Sequence, residues 1–212
     1  MKTLLVSLGL LLGAASVAAD VADLVRQLKN DDPEVRRAAA RSLAELGPQA
    51  KPAVPALTEA LKDKDLFVRR FAAQALGEIG PEAKSAIPAL IAALGDGRRE
   101  VMDAAARALA KMGSDGVKSL TEVLQDKKRD LAVRRKAAEA LGTMGKEARP
   151  AVPVLIETLK DPNVRVEAAL ALGALGPEAK EAVPALREHG KEKDKVFRNA
   201  VLEALRRIQG KK

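Results

Sequence analysis

The feature that most constrains this chain is an internal repeat of 31 to 33 residues. Each copy has a Val-Arg pair, an Ala-rich run, a Leu-x-x-Leu-Gly or related ending, and an Ala-Val-Pro-x-Leu element. The segment 35–57 recurs as 68–90 with each motif position shifted by 33, and the pattern returns at 133–159 and 164–186. Units this short cannot bury an apolar face alone, so the repeat predicts a stack of neighbouring units.

The spacing within a unit predicts two helices. The apolar positions of the first helix are Val35, Ala38, Ala39, Leu43 and Leu46, and those of the second are Val54, Leu57 and Leu61. Asp32 before Pro33 is typical of a helix start, and Gly47 of a helix end. Pro55 fits the first turn of the second helix, where no amide hydrogen is required.

The same pattern, applied to the whole chain, predicts one all-α domain over residues 20–212, a right-handed superhelix of about twelve helices. The units are a half repeat at 20–31, repeats at about 32–64, 65–96, 97–127, 128–160 and 161–192, and a terminal half repeat at 193–212.

Residues 1–19 have the layout of a secretory signal peptide. Lys2 precedes an apolar stretch, and Val17 and Ala19 are the small residues before a cleavage site ahead of Asp20. An uncleaved membrane anchor is the alternative, but about 16 uncharged residues fall short of the roughly 20 that span a bilayer. We therefore expect an exported protein, periplasmic or extracellular, with no transmembrane segment after cleavage.

Composition excludes much chemistry. The chain has no Cys, Trp or Tyr and a single His, which removes thiolate nucleophiles, iron–sulfur clusters and zinc ribbons. No phosphate-binding loop, dinucleotide fingerprint or zinc-protease motif occurs. His189 lies at the predicted end of a second helix, where it can contact the helix carbonyls. We predict no catalytic, cofactor or metal residues.

These repeats resemble the HEAT-repeat family, in particular the short HEAT-like repeats of phycobilisome lyases. The resemblance covers about residues 20–210 and rests on blocks such as Leu-Gly-Pro-Glu-Ala at 175–179 and Ala-Val-Pro-Ala-Leu at 182–186. It implies a helical superhelix whose second helices line the inner side. It also implies an alternative function, a bilin lyase or bilin-handling factor, although pigment attachment in that family is cytoplasmic and the signal peptide argues against it.

Except in the third unit, an Asp lies three residues before the first Val or Phe of each unit's first helix, and an Arg lies one residue after that Val or Phe. We expect these to form a structural ladder, pairing within a helix at i, i+4 or with a neighbouring unit. Its members are Asp32, Arg36, Asp65, Arg69, Asp130, Arg134, Asp161, Arg165, Asp194 and Arg198. The alternative is that the row of arginines binds a polyanion, but each Arg is accompanied by an Asp that can neutralise its charge.

The third unit lacks the ladder pair, and three residues are also missing from it. Positive charge is concentrated in residues 98–136. This segment supplies +5 of the +7 net charge that remains after residues 1–19. It is a candidate anion patch, formed by Arg98, Arg99, Arg107, Lys111, Lys127, Lys128, Arg129, Arg135 and Lys136. The alternative is a solvated charged face.

Three function classes follow. We favour a non-enzymatic protein-binding or scaffold module, monomeric and without cofactors, that offers an extended surface to a protein partner. A bilin-handling factor and a binder of anionic envelope polymer or lipid through residues 98–136 are the alternatives. Nucleic acid is disfavoured as a partner, because Phe67, Phe71 and Phe197 are the only aromatic rings of Phe, Trp or Tyr type and are expected in or beside helix cores.

Overall fold

The computed structural model describes residues 20–210, so the predicted signal peptide lies outside the described residues. Every regular element in this range is helical. The α-helices are α1 (20–27), α2 (Pro33–Leu46), α3 (Val54–Ala60), α4 (Leu66–Ile79), α5 (Ile87–Ala93), α6 (Arg99–Lys111), α7 (Ser114–Gln125), α8 (Leu131–Thr143), α9 (Val152–Thr158), α10 (Arg165–Leu175), α11 (Val183–Glu188) and α12 (Lys195–Ile208).

Long first helices alternate along the chain with second helices that we call the short helices, although one of these, α7, has 12 residues. The long helices, α2, α4, α6, α8, α10 and α12, have 11 to 14 residues. A 3-10 segment leads into each of the short helices α3, α5, α9 and α11, as at Gly47–Ala53 before α3. Each long helix packs on the next long helix, and each from α4 to α12 also packs on the second helix of the preceding repeat. The prediction of an all-α, HEAT-like solenoid is confirmed.

The helix ends follow the predicted local rules. The carboxylate of Asp32 accepts the backbone N–H of Glu34 at 2.8 Å and caps α2. Gly47 ends α2 with φ 56°, a value that side-chain-bearing residues rarely adopt. Pro55 lies in the first turn of α3. Short-range sequence signals therefore set where the helices of this unit begin and end.

Successive long helices touch through small residues. A Cβ built on Gly77 of α4 would lie 2.9 Å from the Cα of Ala108 on α6, closer than real Cβ atoms approach. Gly173 of α10 has the same relation to Ala204 of α12, at 2.8 Å. Larger side chains, such as Leu57 and Leu90, fill the core beneath the short helices. The long helices thus form one closely packed layer.

The core follows the predicted stripes with exceptions at the edges of the stack. Val54, Leu57 and Leu61 are buried as predicted. Ala38, however, is exposed and Val35 only half-buried, because α2 is the first long helix within residues 20–210. Leu202 on α12 is 49% exposed, since α12 is the last helix of the described residues.

The third repeat is irregular in the structure as in the sequence. Its second helix, α7, is a continuous α-helix of 12 residues that begins directly after Gly113, without a preceding 3-10 segment. Lys136 of α8 is buried at the junction with α6, at the position where the first and third repeats have Ala38 and Ala104. None of the described helices is long and apolar enough to cross a membrane.

Candidate functional site

The Arg residues of the predicted ladder connect successive repeats. Arg36 donates to both carboxylate oxygens of Asp63 at 2.8 and 3.0 Å, and Arg69 does the same to Asp96 at 2.8 and 3.1 Å. Arg134 donates to Asp161 at 2.8 Å and Arg165 to Asp194 at 3.0 Å. The Arg of each of these repeats therefore binds an acid that lies just before the next long helix.

Two details differ from the predicted ladder. Within the described chain, no Asp pairs with the Arg four residues later on its own helix, because Asp32, Asp65, Asp130 and Asp194 accept backbone N–H groups at helix starts. For Arg36 and Arg69, the partner also lies two residues before the ladder position, at Asp63 and Asp96.

The remaining members are satisfied in other ways. Asp65 pairs with Arg37, and this hydrogen bond lowers the pKa of the Asp65 carboxyl to about 2 despite the opposing effect of burial. Arg198 donates to the carbonyl of Glu192. The ladder is thus an internal structural device.

The candidate anion patch does not form one free cationic surface. Five of its nine members form ion pairs, namely Arg99 with Asp103 at 3.7 Å, Lys111 with Glu78 at 2.7 Å, Arg129 with Asp126 at 3.6 Å, Arg135 with Glu167 at 3.4 Å, and Lys136 with Asp103 at 2.5 Å. The other four, Arg98, Arg107, Lys127 and Lys128, have no carboxylate partner within residues 20–210. Arg107 lines a groove between long helices, whereas Lys127 lines one beside the short helices.

Lys136 is a correction to that patch, since its side chain is 8% exposed. Burial alone would lower the pKa of its ammonium group, but hydrogen bonds to Asp103 at 2.5 Å and Glu139 at 2.9 Å outweigh this and raise it. A buried ammonium held by two carboxylates joins α6 to α8 and is not available to an external anion.

The exposed side of the long helices forms the surface that we call the long-helix face. At one repeat position its exposed residues are Arg41, Gln74, Arg107, Glu139 and Leu170, and one turn later Glu45, Lys111, Thr143, Ala174 and Arg207. The buried positions between them repeat almost unchanged, as in Leu43, Leu76, Leu109, Leu141 and Leu172. This face therefore combines a uniform core with a surface whose chemistry changes from repeat to repeat.

Two adjoining grooves mark the N-terminal half of the long-helix face. The groove between α2 and α4, of about 590 Å³, includes Arg37, Phe67, Arg70 and Phe71 in its lining. The groove between α4 and α6, of about 400 Å³, includes Arg70 and Arg107.

Phe67 and Phe71 were expected in or beside the core, but Phe67 is 38% exposed and Phe71 half-buried. The guanidinium of Arg70 lies over both rings, 5.4 Å from the centroid of Phe67 and 4.6 Å from that of Phe71. Sequence reasoning missed this cluster, although the position of Phe67 just after the Asp65 cap indicated a first-turn residue on the outside.

The short helices present a more uniform surface. Proline recurs at the same exposed position, as Pro55, Pro88, Pro153 and Pro184, and glutamate recurs one turn later, as Glu59, Glu122, Glu157 and Glu188. A groove of about 630 Å³ lies here between the end of α7 and α9. Its charged groups are largely paired with each other, since Arg134 donates to the carbonyl of Leu124 and to Asp161.

His189 follows α11, as predicted. Its Nδ1 lies 3.3 Å from a carboxylate oxygen of Glu192, and its ring centroid lies 5.3 Å from that of Phe197. Among the described residues, no group of three or more His, Cys, Asp or Glu side chains could hold a metal ion.

The repeat geometry defines the class, an α-helical repeat protein, and sequence comparison names the family. The family pattern described as HEAT repeats matches residues 21–85, 68–132 and 117–206. The chain belongs to the HEAT-repeat family. No curated protein matches the sequence.

Several solved structures align with this chain, and the first two named here show the same fold. The third TOG domain of Drosophila melanogaster Mini spindles aligns with a TM-score of 0.61 at 15% identity, covering 88% of this chain and 94% of that one. The complex of CpcE and CpcF of phycocyanin lyase from Nostoc sp. PCC7120 gives 0.53 at 20% identity, covering 72% and 98%. An engineered protein gives 0.49 at 30% identity, covering 91% and 97%.

Proposed function

We propose that this protein is an exported, non-enzymatic scaffold that binds a protein partner through the long-helix face. One observation carries the proposal: the exposed residues of this face differ from repeat to repeat, whereas those of the short helices largely recur. A surface that repeats itself offers a partner several equivalent binding registers, whereas a surface that varies along its length offers a single register. A specific protein partner requires the second kind.

The packing of the layers supports the choice of face. Gly77 against Ala108 and Gly173 against Ala204 bring successive long helices close together, whereas successive short helices make few contacts with one another. A stack with shorter spacing on one side curves toward that side. The long-helix face is then the inner surface, which differs from the expectation that the second helices line it.

The alternatives have less support. The likeness to phycocyanin lyase is one of fold at 20% identity, so it gives no residue-level support to bilin handling. An anionic polymer would need a free cationic track, and most of the candidate patch is paired. Export is proposed on the layout of residues 1–19.

Site-specific photo-crosslinking tests the proposal. A photoreactive phenylalanine analogue is placed at Gln74 or Leu170 on the long-helix face, and at Ala92 or Gln125 on the short helices as controls, since all four are exposed. We expect adducts with one identified protein from the host's envelope fraction at the first two positions. Adducts of equal yield at all four positions, or at the controls alone, would refute the proposed face.

A further inference from the structure

Two arginines of the long-helix face meet in the groove between α4 and α6. Arg70 and Arg107 both line it, and neither has a carboxylate within ion-pair distance in the described part of the chain. By contrast, Arg41 pairs with Glu45 at 3.0 Å and Lys111 with Glu78 at 2.7 Å. The groove therefore concentrates cationic charge that the protein itself does not neutralise.

We propose that this groove binds an acidic peptide segment, with Arg70 and Arg107 pairing with carboxylates of the ligand. The inference rests on the proposed function and specifies the chemistry of the partner. Arginine is suited to this role, because its planar guanidinium presents a fork of N–H donors that matches a carboxylate.

The floor of the groove is open to a peptide backbone. Gly77, Ala104 and Ala108 line it and carry at most a methyl group. Gln74, exposed beside them, offers both an amide donor and an amide acceptor, which suits a backbone peptide group. The groove can therefore hold main chain between the two arginines.

Arg70 is held in place before a ligand arrives. Its guanidinium lies 4.6 Å from the ring centroid of Phe71 and 5.4 Å from that of Phe67, and the side chain is half-buried. Contact through the guanidinium face leaves its N–H edge available for hydrogen bonds. A side chain fixed in this way loses less conformational entropy on binding.

The surrounding charges favour a peptide over a continuous polyanion. Glu34 and Glu45 line the adjoining groove, and Glu78 lines this one. A strand with a charge on each unit would lie against these carboxylates, whereas a peptide can alternate acidic and neutral residues. The two unpaired arginines fit separated carboxylates.

Fluorescence anisotropy tests the inference with a labelled peptide of alternating Glu and Ala residues, its Gln analogue, and double-stranded DNA. The full-length protein is compared with the R70Q/R107Q variant and with R149Q/R187Q, which removes the same charge from two exposed arginines elsewhere. We expect R70Q/R107Q to weaken binding of the Glu peptide at least tenfold and R149Q/R187Q less than twofold. The Gln analogue should bind at least tenfold more weakly than the Glu peptide.

Several results would overturn the inference: no binding of the Glu peptide, equal losses in both double variants, or DNA binding that depends on Arg70 and Arg107 as strongly. Circular dichroism checks folding, and R107Q alone keeps the test valid if R70Q unfolds, because Arg107 is exposed and unpaired. If Gln74 crosslinks persist in R70Q/R107Q, the inference fails but the scaffold proposal stands. If the wild type forms no crosslinks but still binds the Glu peptide, the scaffold proposal fails and acidic-peptide binding by the groove stands.

Discussion

Removing the carboxylate of Asp96 should show how the repeats are joined. Arg69 of the second repeat donates to both oxygens of Asp96, at 2.8 and 3.1 Å, and its remaining N–H group binds the carbonyls of Asp63 and Lys64. The two side chains are only 16% and 13% exposed. D96A therefore leaves a largely buried guanidinium without its counter-charge.

The expected cost lies between two known limits. Breaking a fully buried ion pair costs about 3–5 kcal/mol, and an exposed pair contributes about 0–1 kcal/mol. Because this pair is mostly buried but lies at the edge of the core, we expect D96A to lower the free energy of unfolding by about 2–3 kcal/mol. The pair Arg41–Glu45, at 3.0 Å but 69% and 65% exposed, is the control and should contribute about 0.3–0.5 kcal/mol.

Urea unfolding followed by circular dichroism gives the coupling energies from double-mutant cycles. We expect about 1–3 kcal/mol between Arg69 and Asp96, and below about 0.5 kcal/mol between Arg69 and Asp65, although the latter two are four residues apart. Strong coupling to Asp65 with none to Asp96 would refute the inter-repeat ladder.

Three further predictions concern packing, pH and export. G77A places a methyl carbon 2.9 Å from a backbone carbon of α6 and should destabilise the folded protein by about 1–3 kcal/mol in thermal melts. G97A is the control, because a methyl group there meets no atom within 4 Å and should not change the stability. Equal effects of the two substitutions would argue against close packing of the long helices. Since the pKa of Asp65 is about 2 in the folded protein against the usual 3.8, its contribution is complete above about pH 4 and lost toward pH 2. D65N should therefore flatten the acid limb of the stability curve, and an unchanged limb would contradict this. Amino-terminal sequencing of the protein from its host should begin at Asp20 or within a residue or two of it, whereas an intact Met1 would contradict export.

Much of the fold could be predicted because its determinants are local and repeated. The Asp32 cap, the positive φ of Gly47 and the spacing of apolar residues each depend on a few neighbouring residues. Equivalent signals recur in several repeats. The choice of ladder partner is different. Asp63 and Asp65 both precede α4, and only the packed structure shows that helix capping and Arg37 occupy Asp65 and leave Asp63 for Arg36.

The binding surface was the harder part to predict, because it depends on which charges meet between repeats. Lys136 looked like an exposed cation in the sequence, but Asp103 lies one repeat away and pairs with it in the core. Arg70 and Arg107 could not be recognised as unpaired without knowing which carboxylates reach them. Spacing within one helix carries no such information.

The most direct test of the account is a calorimetric titration of the crosslinked partner, once purified, into two charge-matched surface variants. Q74E/A174E alters the long-helix face and A92E/Q125E the short helices, and each adds two negative charges at exposed positions. We expect the first variant to weaken binding at least tenfold and the second less than twofold. A tenfold loss in the second with none in the first would place the partner on the opposite face and contradict the account.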